Sequence, residues 1–221
     1  MSVLTVSNVS YRYKNGDRMA LNGVSCDFEA GQVTAVVGPS GSGKTTLLSI
    51  LAGLDRPSAG SVILNGADLA AKDLDQYRRE DVSVIFQAFQ LFPLLTVMEN
   101  VCYPMELLGT ARKEAQAKAQ GLLKKVGIGE EKWKRYPANL SGGEQQRVAI
   151  ARSMASGARV LLADEPTGNL DGENSRNVVE LLSRLAHEEN YCVVIVTHDP
   201  AIAEASDKVC RMADGVLTKE R

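Results

Sequence analysis

The feature of this chain that most constrains its fold is a glycine-rich loop between a strand-like run and a helical pattern. The loop Gly38-Pro39-Ser40-Gly41-Ser42-Gly43-Lys44-Thr45 matches the pattern G-x-x-x-x-G-K-[ST]; a mostly apolar run at 33–37 precedes it and a helical composition at 46–52 follows it. Loops in this context hold phosphate, because backbone N–H groups and the helix N-terminus face the anion. A glycine-rich turn that binds nothing is the structural alternative.

The last two residues of this loop have defined roles in nucleotide chemistry. We expect Lys44 to reach the β- and γ-phosphates of a nucleotide, and the Thr45 hydroxyl to ligate Mg²⁺. The loop therefore predicts a nucleoside triphosphate as ligand and magnesium as its companion.

Composition limits the other possibilities. With 221 residues, 44% of them hydrophobic, the chain can form one large α/β domain or a core with a small inserted subdomain. A net charge of −2 and a pI of about 5.8 disfavour a nucleic-acid partner. No stretch approaches the ~18–20 continuous apolar residues that cross a bilayer, and no secretory signal is present, so we expect a cytosolic or membrane-peripheral chain. Widely spaced cysteines predict reduced core thiols: Cys26, Cys102, Cys192 and Cys210.

The first half of the chain changes from a strand pattern to a helix pattern. Residues 3–37 contain short β-rich runs separated by turn signals at 14–17 and 29–32, which predicts an antiparallel patch leading into the loop strand. The run at 62–64 followed by Asn65-Gly66 predicts another hairpin. Helices are predicted at 97–101 and at 112–126, the second ended by Gly127.

The remainder alternates helix and strand, with helices at 144–156 and 174–188 and strands at 160–163 and 192–197. Strands that are apolar throughout, with helices between them, predict a parallel sheet covered on both faces. We therefore predict a single α/β domain over residues 1–221. It comprises a P-loop NTPase core with a mixed, largely parallel sheet and an N-terminal antiparallel β patch (1–90 and 158–221), and an inserted helical subdomain (91–157).

Two adjacent carboxylates follow the apolar strand at 160–163. Asp164 is placed to hold Mg²⁺, and Glu165 is placed to act as general base on an attacking water. A helix-capping turn would also explain two adjacent acids, but the phosphate loop upstream favours the catalytic interpretation.

Three more polar or aromatic side chains follow strands or turns. His198 can contact the γ-phosphate, since ligands gather at the carboxyl ends of parallel strands, although a histidine at an ordinary helix start is the alternative. Gln87 can reach a Mg²⁺-bound or attacking water, with a surface glutamine as its alternative. Tyr13 can stack on an adenine ring, whereas Tyr11 is interpreted as a strand residue.

A second helix start suited to phosphate lies far along the chain, at residues 140–146. Ser141 and Glu144 form the S-x-x-E capping box of a helix, which a purely structural role explains. Gly142 and Gly143 are not explained in this way, because they weaken a helix while letting backbone N–H groups approach an anion. They predict a phosphate held from outside the chain.

Taken together, these motifs resemble those of ATP-binding cassette ATPases, the nucleotide-binding subunits of transporters. The resemblance covers essentially the whole chain and rests on residues 38–45, Gln87, 140–146, 164–165, 168–171 and His198. Residues 86–87, 91–96, 99–101 and 165–171 are similar to the branch that contains macrolide exporters, lipoprotein-release complexes and bacitracin-type peptide-resistance transporters.

The resemblance implies two ATP molecules sandwiched between two copies of the chain, with Mg²⁺. It also implies that Asp171 communicates across this dimer, and that Gln87 and the helical subdomain couple to a separate transmembrane permease at the cytoplasmic face of the membrane. The implied catalytic residues are Lys44, Gln87, Glu165 and His198; the metal ligands are Thr45, Gln87 and Asp164. Nucleotide contacts come from Tyr13, Gly38, Pro39, Ser40, Gly41, Ser42, Gly43, Lys44, Thr45 and Thr46 of one copy and from Ser141, Gly142, Gly143 and Glu144 of the other.

Other functions share some of these motifs. A cell-division ATPase that controls cell-wall hydrolases through a membrane partner would carry the same catalytic residues, although residues 103–109 are more similar to the exporter branch. DNA-repair ATPases would place a coiled coil or zinc module between the two phosphate motifs, and translation factors would carry two cassettes; this sequence has neither. The expected direction of transport is export or extraction from the membrane.

Overall fold

The computed structural model describes residues 2–14, 16 and 18–221. The turn predicted at 14–17 includes Asn15 and Asp17, which lie outside the described residues. The strands are β1 (Ser2–Tyr11), β2 (Leu21–Glu29), β3 (Gln32–Val37), β4 (Ala59–Leu64), β5 (Ala67–Asp68), β6 (Val82–Phe86), β7 (Val160–Asp164), β8 (Cys192–Thr197), β9 (Lys208–Ala213) and β10 (Val216–Lys219). The helices are α1 (Lys44–Leu51), α2 (Leu74–Glu80), α3 (Val97–Leu107), α4 (Arg112–Lys125), α5 (Gly142–Ala155), α6 (Gly172–Glu189) and α7 (Pro200–Ala205).

The strands form two sheets. The smaller sheet has the order β2-β1-β4-β5 and is antiparallel throughout, as predicted for the N-terminal patch. Its β4–β5 hairpin turns at Asn65 and Gly66, whose φ angles of 49° and 82° suit a tight two-residue turn. Leu64 pairs with Ala67 across this turn, which confirms the predicted hairpin.

The larger sheet has the order β10-β9-β3-β8-β7-β6. Strands β9, β3, β8, β7 and β6 pair in parallel, and only β10 joins antiparallel, as the end of a hairpin with β9. The predicted mixed, largely parallel sheet is therefore confirmed. The carboxyl ends of β3, β6, β7 and β8 lie side by side at one edge of this sheet.

Apolar residues cover both faces of the larger sheet. Alternate residues of a strand point to opposite faces, and each face contributes to its own cluster of buried apolar side chains. Leu161 and Ala163 of β7 pack with α3, α4, α5 and α6, whereas Val160 and Leu162 pack with α1 and the smaller sheet. The second cluster joins the two sheets. Within it, the Sγ atoms of Cys26 on β2 and Cys210 on β9 lie 3.7 Å apart.

All four cysteines are free thiols, and three of them are buried, in accord with the prediction. Among the described residues, no helix has both the length and the apolar character that a membrane crossing requires.

The helices agree with the sequence patterns at some ends and not at others. Gly127 has a φ of 73° and donates to Lys124 O, which ends α4 as predicted. Helix α3 extends well beyond the predicted 97–101 because Val97, Val101 and Met105 form one buried face. That burial offsets the roughly 3 kcal/mol that Pro104 costs inside a helix. The short helices α2 and α7 were not predicted.

Candidate nucleotide site

The glycine loop connects β3 to α1 at the carboxyl edge of the larger sheet, as its motif predicts. Gly43 takes a left-handed conformation with a φ of 109°, and a Cβ there would lie 2.5 Å from Ala20 O. A Cβ on Gly38 would lie 2.1 Å from Met212 O. Side chains cannot be added at these two positions, because the loop packs closely against the backbone at Ala20 and Met212.

Lys44 and Thr45 begin α1 and point into the loop and toward Asp164. The buried Lys44 ammonium donates to Gly38 O at 2.8 Å and to Pro39 O at 3.0 Å, so the cation lies within the loop. The Thr45 hydroxyl lies near enough to the Asp164 carboxyl to favour its charged form. Burial and the nearby Glu165 raise the pKa of Asp164, whereas Lys44 and Thr45 oppose that shift. The two predicted metal ligands Thr45 and Asp164 therefore lie at the same place on the sheet edge.

Glu165 follows β7 in a left-handed conformation with a φ of 47°. Its carboxylate accepts a hydrogen bond from Thr197 Oγ1 at 3.0 Å and lies 2.7 Å from His198 Nδ1. Its N–H donates to Val196 O at 2.9 Å. The parallel pairing of β7 with β8 brings these groups together, so Glu165 and His198 form one constellation at the sheet edge.

Gln87 lies at the same edge, because Phe86 pairs with Asp164 in the parallel ladder of β6 and β7. Its amide donates to Asn169 Oδ1 at 3.2 Å, and Asn169 Nδ2 donates to Gln87 O at 3.0 Å. A Cβ on Gly168 would lie 2.6 Å from Gln87 Nε2. Gln87 is thus held against the loop that follows Glu165, rather than hydrogen-bonded to Asp164 or Thr45.

The structure distinguishes the two tyrosines as the sequence does. Tyr13 is 49% exposed, and its hydroxyl lies 2.8 Å from Thr46 Oγ1 in the first turn of α1. Tyr11 ends β1, donates to Asp55 at 3.1 Å and meets the Tyr13 ring edge-on at 5.0 Å. Of these two tyrosines, Tyr13 is the one with an exposed ring beside the phosphate loop.

The second helix start has the predicted capping box. Ser141 Oγ accepts from Glu144 N at 3.3 Å, and the Glu144 carboxylate accepts from Ser141 N at 2.9 Å. Lys132 also binds this carboxylate and holds the pKa of Glu144 below its ordinary value. In the described part of the chain, no side-chain hydrogen bond of Ser141–Glu144 reaches residues 38–46.

The two glycines of this helix start differ in their surroundings. A Cβ on Gly143 would lie 2.1 Å from Asn174 Oδ1, whereas a Cβ on Gly142 would make ordinary contacts, the shortest at 3.4 Å to Leu170. Asn174 in turn donates to Asp171, which caps α6 and is exposed. Packing against Asn174 therefore explains Gly143 within one chain, which the sequence interpretation did not foresee. Gly142 has no such explanation.

Comparison with known proteins then decides the family. A family model described as ABC transporter matches residues 21–168 of the chain, which include the phosphate loop, Gln87, Ser141 and the two carboxylates. The chain belongs to this family. The cassette fold and the ATPase class predicted from the sequence are therefore confirmed.

Relatives and solved structures agree with this assignment. The cassette is 43% identical to the lipoprotein-releasing system ATP-binding protein LolD of Syntrophotalea carbinolica, over 98% of this chain and 97% of that protein. It is 41% identical to the macrolide export ATP-binding/permease protein MacB of Shigella flexneri, over 98% of this chain and 34% of that protein. The dimeric structure of MJ0796, a bacterial ABC transporter cassette, has a TM-score of 0.88 at 36% identity and covers 99% of this chain and 98% of its own.

A post-hydrolysis dimer of MJ0796 bound to ADP and Pi is equally similar, with a TM-score of 0.88, 35% identity and coverage of 99% and 98% of the two chains. The residues of this cassette fit the same kind of ligand. Hydroxyl and carboxylate oxygens of Thr45 and Asp164 are the donors that Mg²⁺ prefers, and Ser42 Oγ is buried with no hydrogen-bond partner in the described structure.

Sequence reasoning missed several residues that position these groups. Thr197 holds Glu165, Asn169 holds Gln87, and Asn174 packs on Gly143. The hydroxyl at the carboxyl end of β8 was a usable signal for Thr197. The motif at 168–171 contains Asn169 without giving it a role, and no local pattern relates Asn174 to Gly143, which is distant in the chain.

Proposed function

We propose that two copies of this cassette close around two ATP molecules and drive a membrane permease that exports or extracts its substrate. The observation that supports this most is that no hydrogen bond of the described residues joins the two phosphate motifs within one chain. At the second helix start, Ser141 bonds Glu144, and Glu144 bonds Lys132. In the phosphate loop, the Lys44 ammonium bonds the carbonyl of Gly38 within the same loop. Two half-sites that do not meet within one copy can meet between two, as the dimeric MJ0796 cassette illustrates.

Within this dimer, each chain contributes to both nucleotides. The loop at 38–45 holds the phosphates of one ATP, Tyr13 stacks on its adenine, and Ser141, Gly142, Gly143 and Glu144 of the other copy contact its γ-phosphate. Thr45 and Asp164 would hold Mg²⁺ and Gln87 would reach its water; when bound, the ion would supply positive charge beside the phosphates. Asp171, exposed beside the Ser141 helix start, faces the other copy.

Hydrolysis follows from the placement of Glu165. Its carboxylate takes the proton of the attacking water, while Lys44 and His198 stabilise the transferring phosphoryl group. Thr197 and His198 keep the carboxylate at the sheet edge. Converting an open-to-closed ratio of 1:99 into 99:1 requires about 5.5 kcal/mol, which charge-assisted contacts from two copies to a triphosphate can supply.

The permease docks, in this proposal, on the cleft between the larger sheet and helices α3 and α5. This cleft has a volume of about 330 Å³ and lies next to the segment that follows Gln87. Apolar side chains are exposed along it and beside it, with Leu94 at 87% and Leu107 at 62%. Arg152 in the cleft donates to Gln90 O and Phe89 O and so fixes that segment. The site suits an apolar helical segment carrying an acidic side chain.

The substitution Glu165→Gln tests the hydrolytic part of this proposal. A positioned general base contributes about 10²–10⁴ in rate, so this variant is expected to bind ATP normally while losing most turnover. ATP binding is measured by calorimetry and turnover by phosphate release from the membrane complex. Near-normal turnover in the variant would overturn the assignment of Glu165.

The substitution Leu107→Asp tests the docking surface. Because it places a charge on the proposed interface, we expect the permease to be lost when the chain is purified from mildly solubilised membranes. Leu54→Asp is the matched control, since Leu54 is 55% exposed but does not line this cleft. Equal permease recovery with both variants would argue against docking at this cleft.

A further inference from the structure

Gln146 is a buried polar residue on α5, the helix that begins at Ser141. Its side chain is completely inaccessible to solvent, and its Nε2 donates to Pro166 O at 2.8 Å. Its Oε1 is buried and accepts no hydrogen bond in the described structure. An unsatisfied buried acceptor costs about 1–3 kcal/mol. The benefit of the amide must come from the group that it holds.

The group that it holds adjoins Glu165. Glu165 occupies the left-handed region, with a φ of 47°, and precedes a proline, which disfavours the right-handed helical region for it. Such a conformation costs of order 1–3 kcal/mol and persists only where neighbouring contacts fix it. The N–H of Glu165 is fixed by Val196 O on β8, and the carbonyl of the next residue is fixed by Gln146.

We propose that Gln146 is a positioning residue that keeps the Glu165 carboxylate in its catalytic orientation by holding the Pro166 carbonyl. This inference rests on the proposed role of Glu165 as general base. It has a consequence for coupling, because Ser141 and Gln146 belong to one helix. A shift of α5 caused by the nucleotide bound at Ser141 moves the contact that orients Glu165, which acts on the other nucleotide.

The substitution Gln146→Met tests the proposal, since methionine has a similar size and shape but no donor. Misplacing a catalytic group by about 1 Å can cost as much as 10²-fold in rate, so we expect kcat to fall at least tenfold. The KM for ATP is expected to stay within about twofold, because ATP contacts are untouched. Gln145→Met is the matched control: Gln145 is only partly buried, and its amide donates to Leu140 O at 3.2 Å.

Combining Gln146→Met with Glu165→Gln separates positioning from a general structural effect. If Gln146 acts through the carboxylate, Gln146→Met will not lower the residual rate of the Glu165→Gln variant, nor its ATP-dependent dimerisation. Equal rate losses in both backgrounds, or an unchanged kcat in the single variant, would overturn the proposal. Gln146→Leu removes the same donor with a smaller side chain and is used if the methionine variant does not fold.

The same set of variants identifies which idea has failed. If Glu165→Gln alone retains turnover, the proposed general base is wrong and the inference about Gln146 falls with it. If Glu165→Gln loses turnover while both Gln146 variants keep normal kcat, the general base stands and only the positioning role is rejected.

Discussion

Single residues show how packing and ligand binding can place similar demands on a sequence. Gly142 and Gly143 are adjacent and look equivalent in the motif, but only Gly143 is pressed against another side chain of the same copy, at Asn174. The sequence interpretation attributed both glycines to an external phosphate. The structure keeps that explanation available for Gly142 and adds a packing requirement at Gly143.

Alanine substitutions at these two glycines should therefore have different effects. Gly143→Ala is expected to lower the free energy of unfolding of the isolated chain by about 1–3 kcal/mol, because the new methyl group clashes with Asn174. Gly142→Ala should leave stability unchanged or slightly raised, since alanine favours helices. It should nevertheless impair ATP-dependent dimerisation of the Glu165→Gln variant. Urea denaturation and light scattering measure the two properties, and equal destabilisation by both substitutions would contradict this distinction.

The tyrosine pair offers a second test at the residue scale. Base stacking on an aromatic ring is worth about 1–3 kcal/mol, so Tyr13→Ala should raise the Kd for ATP about 5–150-fold. Tyr13→Phe keeps the ring and should bind nearly as well as the native chain. Tyr11→Phe, which removes only the hydrogen bond to Asp55, serves as the control. Calorimetry gives the three constants, and a normal Kd for Tyr13→Ala would exclude stacking at this ring.

The chemistry of the site could be predicted wherever it follows a strand end directly. Asp164, Glu165 and His198 each follow an apolar strand, and the parallel order brings them to one edge. The contacts that hold them could not be predicted in this way. Gln87 meets Asn169, and Gln146 meets Pro166, through tertiary packing between segments that no local pattern relates.

At the scale of elements, the part of the β6–α3 segment at residues 92–96 is held by one buried side chain. Asn100 is fully buried in α3; its amide donates to Phe92 O, Leu95 O and Thr96 O, and its Oδ1 accepts from Phe92 N at 2.8 Å. This segment carries Leu94 and borders the proposed docking cleft. One asparagine thus shapes the part of the surface that we assign to the permease.

Asn100→Leu should therefore destabilise the chain and weaken docking together. Leaving several buried backbone groups without partners is expected to reduce the free energy of unfolding by about 2–4 kcal/mol. Glu99→Gln at the neighbouring position retains the capping box with Thr96 and should cost less than about 0.5 kcal/mol. Denaturation curves and permease recovery test both effects, and a stable Asn100→Leu chain would contradict them.

Elements were predictable where local chemistry determines them. The hairpin at Asn65-Gly66 and the end of α4 at Gly127 follow from backbone conformations that these residues favour. Helix α3 extends past the predicted 97–101 because its buried face through Met105 depends on packing with α4 and α5. Helices α2 and α7 are too short for periodicity to reveal them, so their caps at Asp73 and Asp199 went unused.

At the scale of the whole molecule, the shared-site proposal predicts complementation between defective copies. A Lys44→Ala copy loses the ammonium group that its phosphate loop supplies to its own ATP. A Ser141→Ala copy loses its hydroxyl contact with the ATP of the other copy. A mixed dimer of the two places both defects in one site and leaves the other site intact. We therefore expect each variant alone to retain little occluded nucleotide, and the mixture to recover a clear fraction of it.

Nucleotide occlusion is measured in the Glu165→Gln background, where closed dimers accumulate, with the two variants carrying different tags. The Ser141→Ala copy should still bind ATP as a monomer, because its own phosphate loop is unchanged. Loss of monomer binding in this variant, or absence of recovery on mixing, would show that each copy holds a complete site of its own.

The distance between the Cys26 and Cys210 thiols can report movement of the two sheets relative to each other. The Tyr13 ring follows a strand of the smaller sheet, the phosphate loop follows a strand of the larger one, and these two thiols face each other across the junction at 3.7 Å. A nucleotide bound by the Tyr13 ring and by the phosphate loop would connect segments that follow strands of the two different sheets. The yield of a short cross-link between these two native thiols, measured with and without ATP, would therefore report whether ATP binding changes the spacing of the sheets.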